Sequence, residues 1–246
     1  MDELATAALA LRCLDLTELG DTCGPAEVSR LLAAAQTPFG DLAAVCVWPQ
    51  YVPQAREVLR HGAIRIATVI NFPMGKENII HAVEDAREAL RDGADEIDLV
   101  IPYRALLRGD ADQVTDMVSA VADVLPPRAY LKTILETGEL AKPALIRQAS
   151  DLAIAAGAHF LKTSTGKTAV SATPEAARIM AQAIRDSGKP VGLKVSGGIR
   201  TLADAATYIG IARDVLGADW VSPQHFRIGA SGLLTALLAA LSTDQD

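Results

Sequence analysis

The stretch IAAGAHFLKTSTGK, residues 154–167, decides the fold. It reads as the end of a helix, a glycine stop, a short apolar strand and a glycine-bearing loop. Its first half closes the amphipathic segment ALIRQASDLAIAAGAHF (144–160), and HFLKTS (159–164) follows at once as a strand. The same join recurs in RDGAD (91–95) and VLGAD (215–219), each expected to lead from a helix into a strand. Working outward, strand candidates are CLDL (13–16), LAAVCVW (42–48), IRIATVIN (64–71), EIDLVI (96–101), AYLKTIL (129–135), HFLKTS, VGLKVS (191–196) and DWVSPQHFRIG (219–229). Helical patterns lie between them. GPAEVSRLLAAAQ (24–36) has proline in its first turn, ENIIHAVEDAREALRDGAD (77–95) stops at glycine, and TPEAARIMAQAIRDSGKP (173–190) has Thr173 as N-cap before Pro174.

Eight β/α units in 246 residues, without a linker or low-complexity segment, predict a single α/β domain over 1–246, a closed (β/α)₈ barrel. The alternative is an open doubly wound sheet, but no GxGxxG follows the first strand. Half the residues are hydrophobic, which supplies a large core. The net charge of −7 and pI near 5.1 speak against nucleic acid as the main partner, because phosphate backbones need a basic stripe. Any phosphate recognised here is expected to be small and locally held. Cys13, Cys23 and Cys46 are an odd set without CxxC, so neither a disulfide framework nor a zinc site is expected, and a reducing cytoplasm is. Cys46, in AAVCVW, is expected to be buried. The opening MDELATAALALRCLDL starts acidic, unlike a secretory signal, and no run nears 18 apolar residues, so no membrane span is expected. His61, His81, His159 and His225 are scattered; His81 and Glu84 are an i, i+3 pair of a kind that helix surfaces carry by chance. No metal is expected.

The lysines are the chemical signal. Lys132, Lys162 and Lys194 each interrupt an apolar strand at a matching place. Strand side chains alternate faces, and a lysine pointed at the surrounding helices would be buried in hydrocarbon without a partner. Pointed inward near the C-terminal mouth, it meets polar groups and substrate. Either the lysines form a structural ion pair inside the barrel with Asp15, Asp98 or Glu136, or they form a reactive site. A free lysine is neutral in roughly one molecule in 2,500 at pH 7, and a cationic neighbour with partial desolvation lowers its pKa toward reactivity. A neutral amine forms a Schiff base with a carbonyl, and the protonated imine acts as an electron sink. Asp15 and Asp98, each within an apolar run, read as salt-bridge partners, as a proton shuttle, or as both. Gly166 and Lys167, Gly197 and Gly198, and Ser231 with Gly232 follow three of the late strands, where backbone N–H groups hold phosphate in barrels of this kind.

These motifs resemble deoxyribose-phosphate aldolase, a class I aldolase family. The resemblance runs from LDLT (14–17) through AAVCVWP, RIATVINFP, GADEIDLVIPYRAL, LKTILETGEL, FLKTSTGK, GLKVSGGIR and GADW to RIGAS (227–231). It implies a TIM barrel and no cofactor. Lys162 then matches the Schiff-base lysine, Lys194 the second lysine that lowers its pKa, Asp98 the carboxylate of the proton relay, and Asp15 an acid that holds and tunes the lysine pair. The glycine loops, Lys167 and Ser231 match the phosphate site, with Lys132 in a supporting electrostatic role. Implied partners are a phosphosugar and acetaldehyde, with a homodimeric assembly. The implied reaction is reversible cleavage of 2-deoxy-D-ribose 5-phosphate to glyceraldehyde 3-phosphate and acetaldehyde. Alternatives are another lysine-dependent aldolase or transaldolase with a different donor, or a catalytically silent phosphosugar-binding barrel. Two departures stand out. The sequence ends LSTDQD where some members carry a longer tail ending in tyrosine, so proton exchange at the enamine is expected to use another group or to be slower. Gly232 occupies a place where a second serine can occur.

Overall fold

In the computed structural model, which describes residues 2–60 and 62–242, eight parallel strands close into a barrel. They are β1 (Leu14–Glu18), β2 (Ala44–Val47), β3 (Arg65–Ile70), β4 (Glu96–Val100), β5 (Tyr130–Ile134), β6 (Phe160–Lys162), β7 (Gly192–Ser196) and β8 (Phe226–Ala230). Each pairs with its chain neighbours, and β1 pairs with both β2 and β8 to complete the ring. Six of the eight strands lie wholly within the stretch whose apolar run predicts them, while β1 runs two residues past CLDL and β8 one residue past its stretch. His61 and the final residues of LSTDQD, 243–246, lie outside the described residues.

Alternation along the strands separates two interiors. Leu14 and Leu16 of β1, Ile97 and Leu99 of β4, Leu193 and Val195 of β7, and Phe226 and Ile228 of β8 belong to the large apolar core between strands and helices. The residues between them, Asp15, Asp98, Lys194 and Arg227, point the other way, as a two-residue period requires. Inside the barrel, Cys46, Ala67 and Val69 form a small apolar sector with Leu19, lined by Trp48 and Phe72. All three cysteines are free.

Local chemistry sets the joins. The helix Ile79–Arg91 ends at Gly93 (φ 107°), with the Gly93 N–H donating to Leu90 and the Ala94 N–H to Ala89. The helix Pro143–Ala155 repeats this at Gly157 (φ 102°), with Ala158 donating to Ala153. This is the glycine-terminated motif in which a left-handed residue lets the chain turn back and satisfy the last carbonyls. It explains why two of the three glycine–alanine joins run straight into strands. The third does not. Gly217 ends the helix Leu202–Leu216, but β8 begins only at Phe226, and the Trp220 N–H closes a turn on Gly217 instead. The expected strand over 219–229 is therefore shorter at its start. Thr173 caps the helix Pro174–Ser187 as anticipated, accepting from the Ala176 N–H at 3.1 Å.

Elements that the sequence reading did not name include a first helix, Glu3–Arg12, packed against the last helices, a small hairpin pairing 36–37 with 40–41, and the short helices Tyr103–Leu107 and Thr137–Leu140 after β4 and β5. Among the described residues no helix is long and apolar enough to cross a membrane.

Candidate active site

Asp98 lies at the centre of the barrel. Its Oδ1 accepts from Lys132 Nζ at 2.8 Å; its Oδ2 accepts from both Lys162 Nζ at 2.7 Å and Lys194 Nζ at 2.8 Å. Strand register brings this about: Asp98 is opposite Lys132 across β4 and β5, and Lys162 is opposite Lys194 across β6 and β7. Asp15 lies on the other side of Lys194, with Oδ2 2.6 Å from its nitrogen in ion-pair contact rather than a directed hydrogen bond. The ion pairing expected of the lysines with Asp15 and Asp98 is thus present, and it gathers all three lysines into one cluster. Glu136 takes no part in it. At φ 54° the chain turns out of β5, and the Glu136 carboxylate accepts from Thr165 and Thr168 in the loop after β6.

The layer beneath contains two residues that the sequence reading passed over. Arg227 donates to Asp15 Oδ1 at 2.8 Å and to both oxygens of Glu96, at 2.8 and 3.1 Å. Glu96 also pairs with Lys132 at 2.5 Å and, at the rim below, with Arg65 at 3.2 Å. Both were findable by the argument used for the lysines. Glu96 precedes Asp98 by two on the same strand face, and Arg227 is a lone cation in an apolar run.

Burial and charge act on these groups in opposite senses. Burial alone would raise the Asp98 carboxyl, but the ammonium groups of Lys132, Lys162 and Lys194 outweigh it and hold Asp98 well below the usual carboxylate range. Asp15 is likewise lowered, burial being overcome by Lys194, Arg227 and Lys132. For Lys194, burial opposes the charged form, yet Asp15 and Asp98 prevail and raise it, so it stays cationic. Lys162 goes the other way. Burial lowers it most, Lys194 lowers it further, and Asp98 only partly compensates. Burial is thus the larger cause, and the cationic neighbour of the sequence reading adds to it. Counting the cluster supports the same outcome. Among the buried groups, with Arg65 left out as partly exposed at the rim, Asp15, Glu96 and Asp98 face Lys132, Lys162, Lys194 and Arg227, so a neutral Lys162 leaves three charges of each sign in a medium that penalises imbalance.

Access separates the lysines. Lys132 and Lys194 are fully buried, whereas Lys162 reaches the floor of a cavity of about 570 Å³ at the C-terminal mouth of the barrel. Its walls bring together Gly166, Lys167, Gly197, Gly198, Ser231 and Gly232, all six residues expected to hold a phosphate. Thr17, Gly20 and Arg200 also line it and were not foreseen. Lys167 Nζ pairs with Asp21 at 2.6 Å across the mouth. Gly229 serves close approach: a Cβ there would lie 2.9 Å from Ser196 Cβ and 3.0 Å from Lys194 Cε, so only glycine lets the Lys194 stem pass. His81 pairs at 3.7 Å with Asp85, one turn on, rather than with Glu84. Among the described residues no group of three or more His, Cys, Asp or Glu side chains is arranged to hold a metal ion.

Residues 12–237 match the model of the DeoC/LacD family aldolases. The chain is 51% identical over 237 residues to a deoxyribose-phosphate aldolase of Agrobacterium fabrum (strain C58), covering 96% of this chain and 92% of that one. Two solved structures, both provisionally assigned as deoxyribose-phosphate aldolases, resemble it closely. One, from Coccidioides immitis, has 31% identity and a TM-score of 0.83 over 95% of this chain and 86% of its own. The other, an apo form from Toxoplasma gondii ME49, has 26% identity and a TM-score of 0.90 over 98% and 97%.

Proposed function

The chain belongs to the DeoC/LacD family of aldolases, and on that premise we propose that it reversibly cleaves 2-deoxy-D-ribose 5-phosphate to D-glyceraldehyde 3-phosphate and acetaldehyde, with Lys162 as the Schiff-base residue. The observation that carries the assignment is the contrast between two lysines on one carboxylate oxygen. Lys162 is at the cavity floor with a lowered pKa, and Lys194 is sealed behind it with a raised one. A neutral amine at the floor is a nucleophile, and a permanent cation beside it keeps it so.

The steps follow from the geometry. Lys162 Nζ adds to C1 of the open-chain sugar, giving a carbinolamine. Asp98, bonded to that nitrogen, serves as the proton relay, through water, for loss of hydroxide as water. The resulting iminium is a further cation beside Lys132 and Lys194, and the carboxylate of Asp98, which Lys162 contacts, stabilises it as it forms. Removal of the C3 hydroxyl proton breaks the C2–C3 bond. The bonding pair moves into the iminium to give an enamine, and glyceraldehyde 3-phosphate leaves. Protonation of the enamine carbon and addition of water return acetaldehyde and the free amine.

At the other end of the cavity, the backbone of Gly166, Gly197, Gly198 and Gly232, with Lys167 and Ser231, is suited to the phosphate. Lys132 supports the site by its charge on Asp98 and Glu96. We also infer that residues 1–246 work as one barrel domain, that the chain pairs as a homodimer, and that it acts in a reducing cytoplasm on small phosphosugars rather than on nucleic acid. Light scattering giving twice the chain mass checks the pairing.

The reading is tested by incubating the protein with 2-deoxy-D-ribose 5-phosphate and following acetaldehyde, beside a panel of other donor aldehydes and ketones. Release of acetaldehyde at a rate well above that with any other donor is expected. Turnover of a ketone donor in its place points to another lysine aldolase or a transaldolase.

A further inference from the structure

Glu136 is a buried acid with no place in the chemistry above. Its side chain is fully buried, and no lysine or arginine among the described residues pairs with it. Its backbone is left-handed (φ 54°, ψ 59°), a conformation that only glycine, asparagine and aspartate visit routinely. Backbone strain of this kind is retained where the surroundings require a particular side chain at that point. What Glu136 does is visible in its partners. Oε2 accepts from the Thr165 hydroxyl at 2.6 Å, while Oε1 accepts from the Thr165 N–H and the Thr168 hydroxyl, both at 3.3 Å. The Thr165 hydroxyl oxygen in turn accepts from the Lys167 N–H at 3.0 Å. A buried carboxylate thus grips the loop 165–168 from behind, and Thr165, Gly166 and Lys167 of that loop form one wall of the cavity. Lys162 lies at the floor, apart from this grip, and bonds to Asp98 alone among these carboxylates.

We propose that Glu136 is a positioning residue for the anionic end of the substrate: it holds Gly166 and Lys167 in the arrangement that receives a phosphate, and leaves the imine chemistry untouched. The inference rests on the proposed function for its substrate, and on geometry for its site. A buried charge-assisted hydrogen bond to a threonine hydroxyl is stronger than a neutral one, and its neighbours are fixed accordingly.

The test compares two substrates and one plain anion. For Glu136→Ala, KM for 2-deoxy-D-ribose 5-phosphate is expected to rise about tenfold, the value of one charge-assisted hydrogen bond, with kcat within about threefold of native. For unphosphorylated 2-deoxy-D-ribose, kcat/KM is expected to stay within about twofold. Titration calorimetry with inorganic phosphate is expected to show the same roughly tenfold weakening, independent of turnover. Equal losses on both sugars, or unchanged phosphate affinity, overturn the proposal, as does a native protein that binds no phosphate. Native protein that binds phosphate but does not cleave the sugar defeats the functional reading and leaves the Glu136 arm to be decided by calorimetry. Should Glu136→Ala not fold, Thr165→Val removes the hydroxyl that Glu136 holds and must show the same weakening of phosphate; no weakening there also overturns it.

Discussion

Replacing Lys194 with methionine probes the tuning of Lys162. The two nitrogens face each other across a single oxygen of Asp98. Two unit charges about 4 Å apart interact by about 4 kcal/mol at an effective dielectric constant of about 20. Removing the Lys194 cation therefore favours protonation of Lys162 by up to about a thousandfold, at 1.36 kcal/mol per decade. Asp98 then also has one fewer ammonium to share, which strengthens its pull on Lys162. Part of this is absorbed by rearrangement, so kcat/KM at neutral pH is expected to fall at least about a hundredfold, with activity recovering as pH rises. The assay is the pH profile of kcat/KM for native protein and Lys194→Met. Its acidic limb should move to higher pH in the variant. Loss of activity by the same factor at every pH would refute the reasoning, because it would mean that Lys194 does something other than keep its neighbour neutral. Retention of full activity at neutral pH would assign the neutrality of Lys162 to burial alone, which is already the larger cause.

Lys162→Met should abolish turnover yet leave the melting temperature unchanged or raised, because it replaces a buried amine with an apolar side chain of similar length and leaves Asp98 paired with Lys132 and Lys194; calorimetry of both proteins measures this. Asp15→Asn should cost about 3–5 kcal/mol in urea unfolding, since Lys194 and Arg227 lose a buried partner. The folded-state pKa values of Asp15 and Asp98 are lowered, so their stabilisation is fully present above the unfolded value of about 3.9 and is lost as pH falls through the folded values. Unfolding free energy, followed by urea titration, should accordingly be level near neutrality and fall steeply in acid, with a shallower fall in Asp15→Asn. Gly229→Ala should destabilise by about 1–3 kcal/mol and lower activity further by displacing Lys194, measurable as a loss in kcat that persists well below the melting temperature.

Most of the barrel is legible because its signals are local. Glycine–alanine joins at Gly93 and Gly157 and a threonine cap at Thr173 act within one helical turn, and apolar strand runs need no partner to be seen. The eighth strand is blurred for the opposite reason: Trp220 and Val221 have strand-like side chains, but the backbone at 219–225 is committed to turns that depend on residues packed around it. The first helix, Glu3–Arg12, is defined by docking on the last two helices, a contact across the whole chain. At the site, three lysines in matching strand positions announce a shared cluster, yet which of them meets the cavity is set by long-range packing. Register sets Lys132 two residues deeper than Lys162, whereas Lys194 is level with Lys162 and is sealed by packing of its stem against Gly229, a contact between strands that no single strand contains. Glu136 was an eligible partner for the lysines until its left-handed backbone carried it to the neighbouring loop.

Reduction with borohydride in the presence of acetaldehyde, followed by peptide mapping, tests the central claim most directly. An ethyl group on Lys162, with Lys132 and Lys194 unmodified, is the predicted result. Fully active protein that carries no label at Lys162, or carries it on Lys194, would contradict the assignment of the nucleophile.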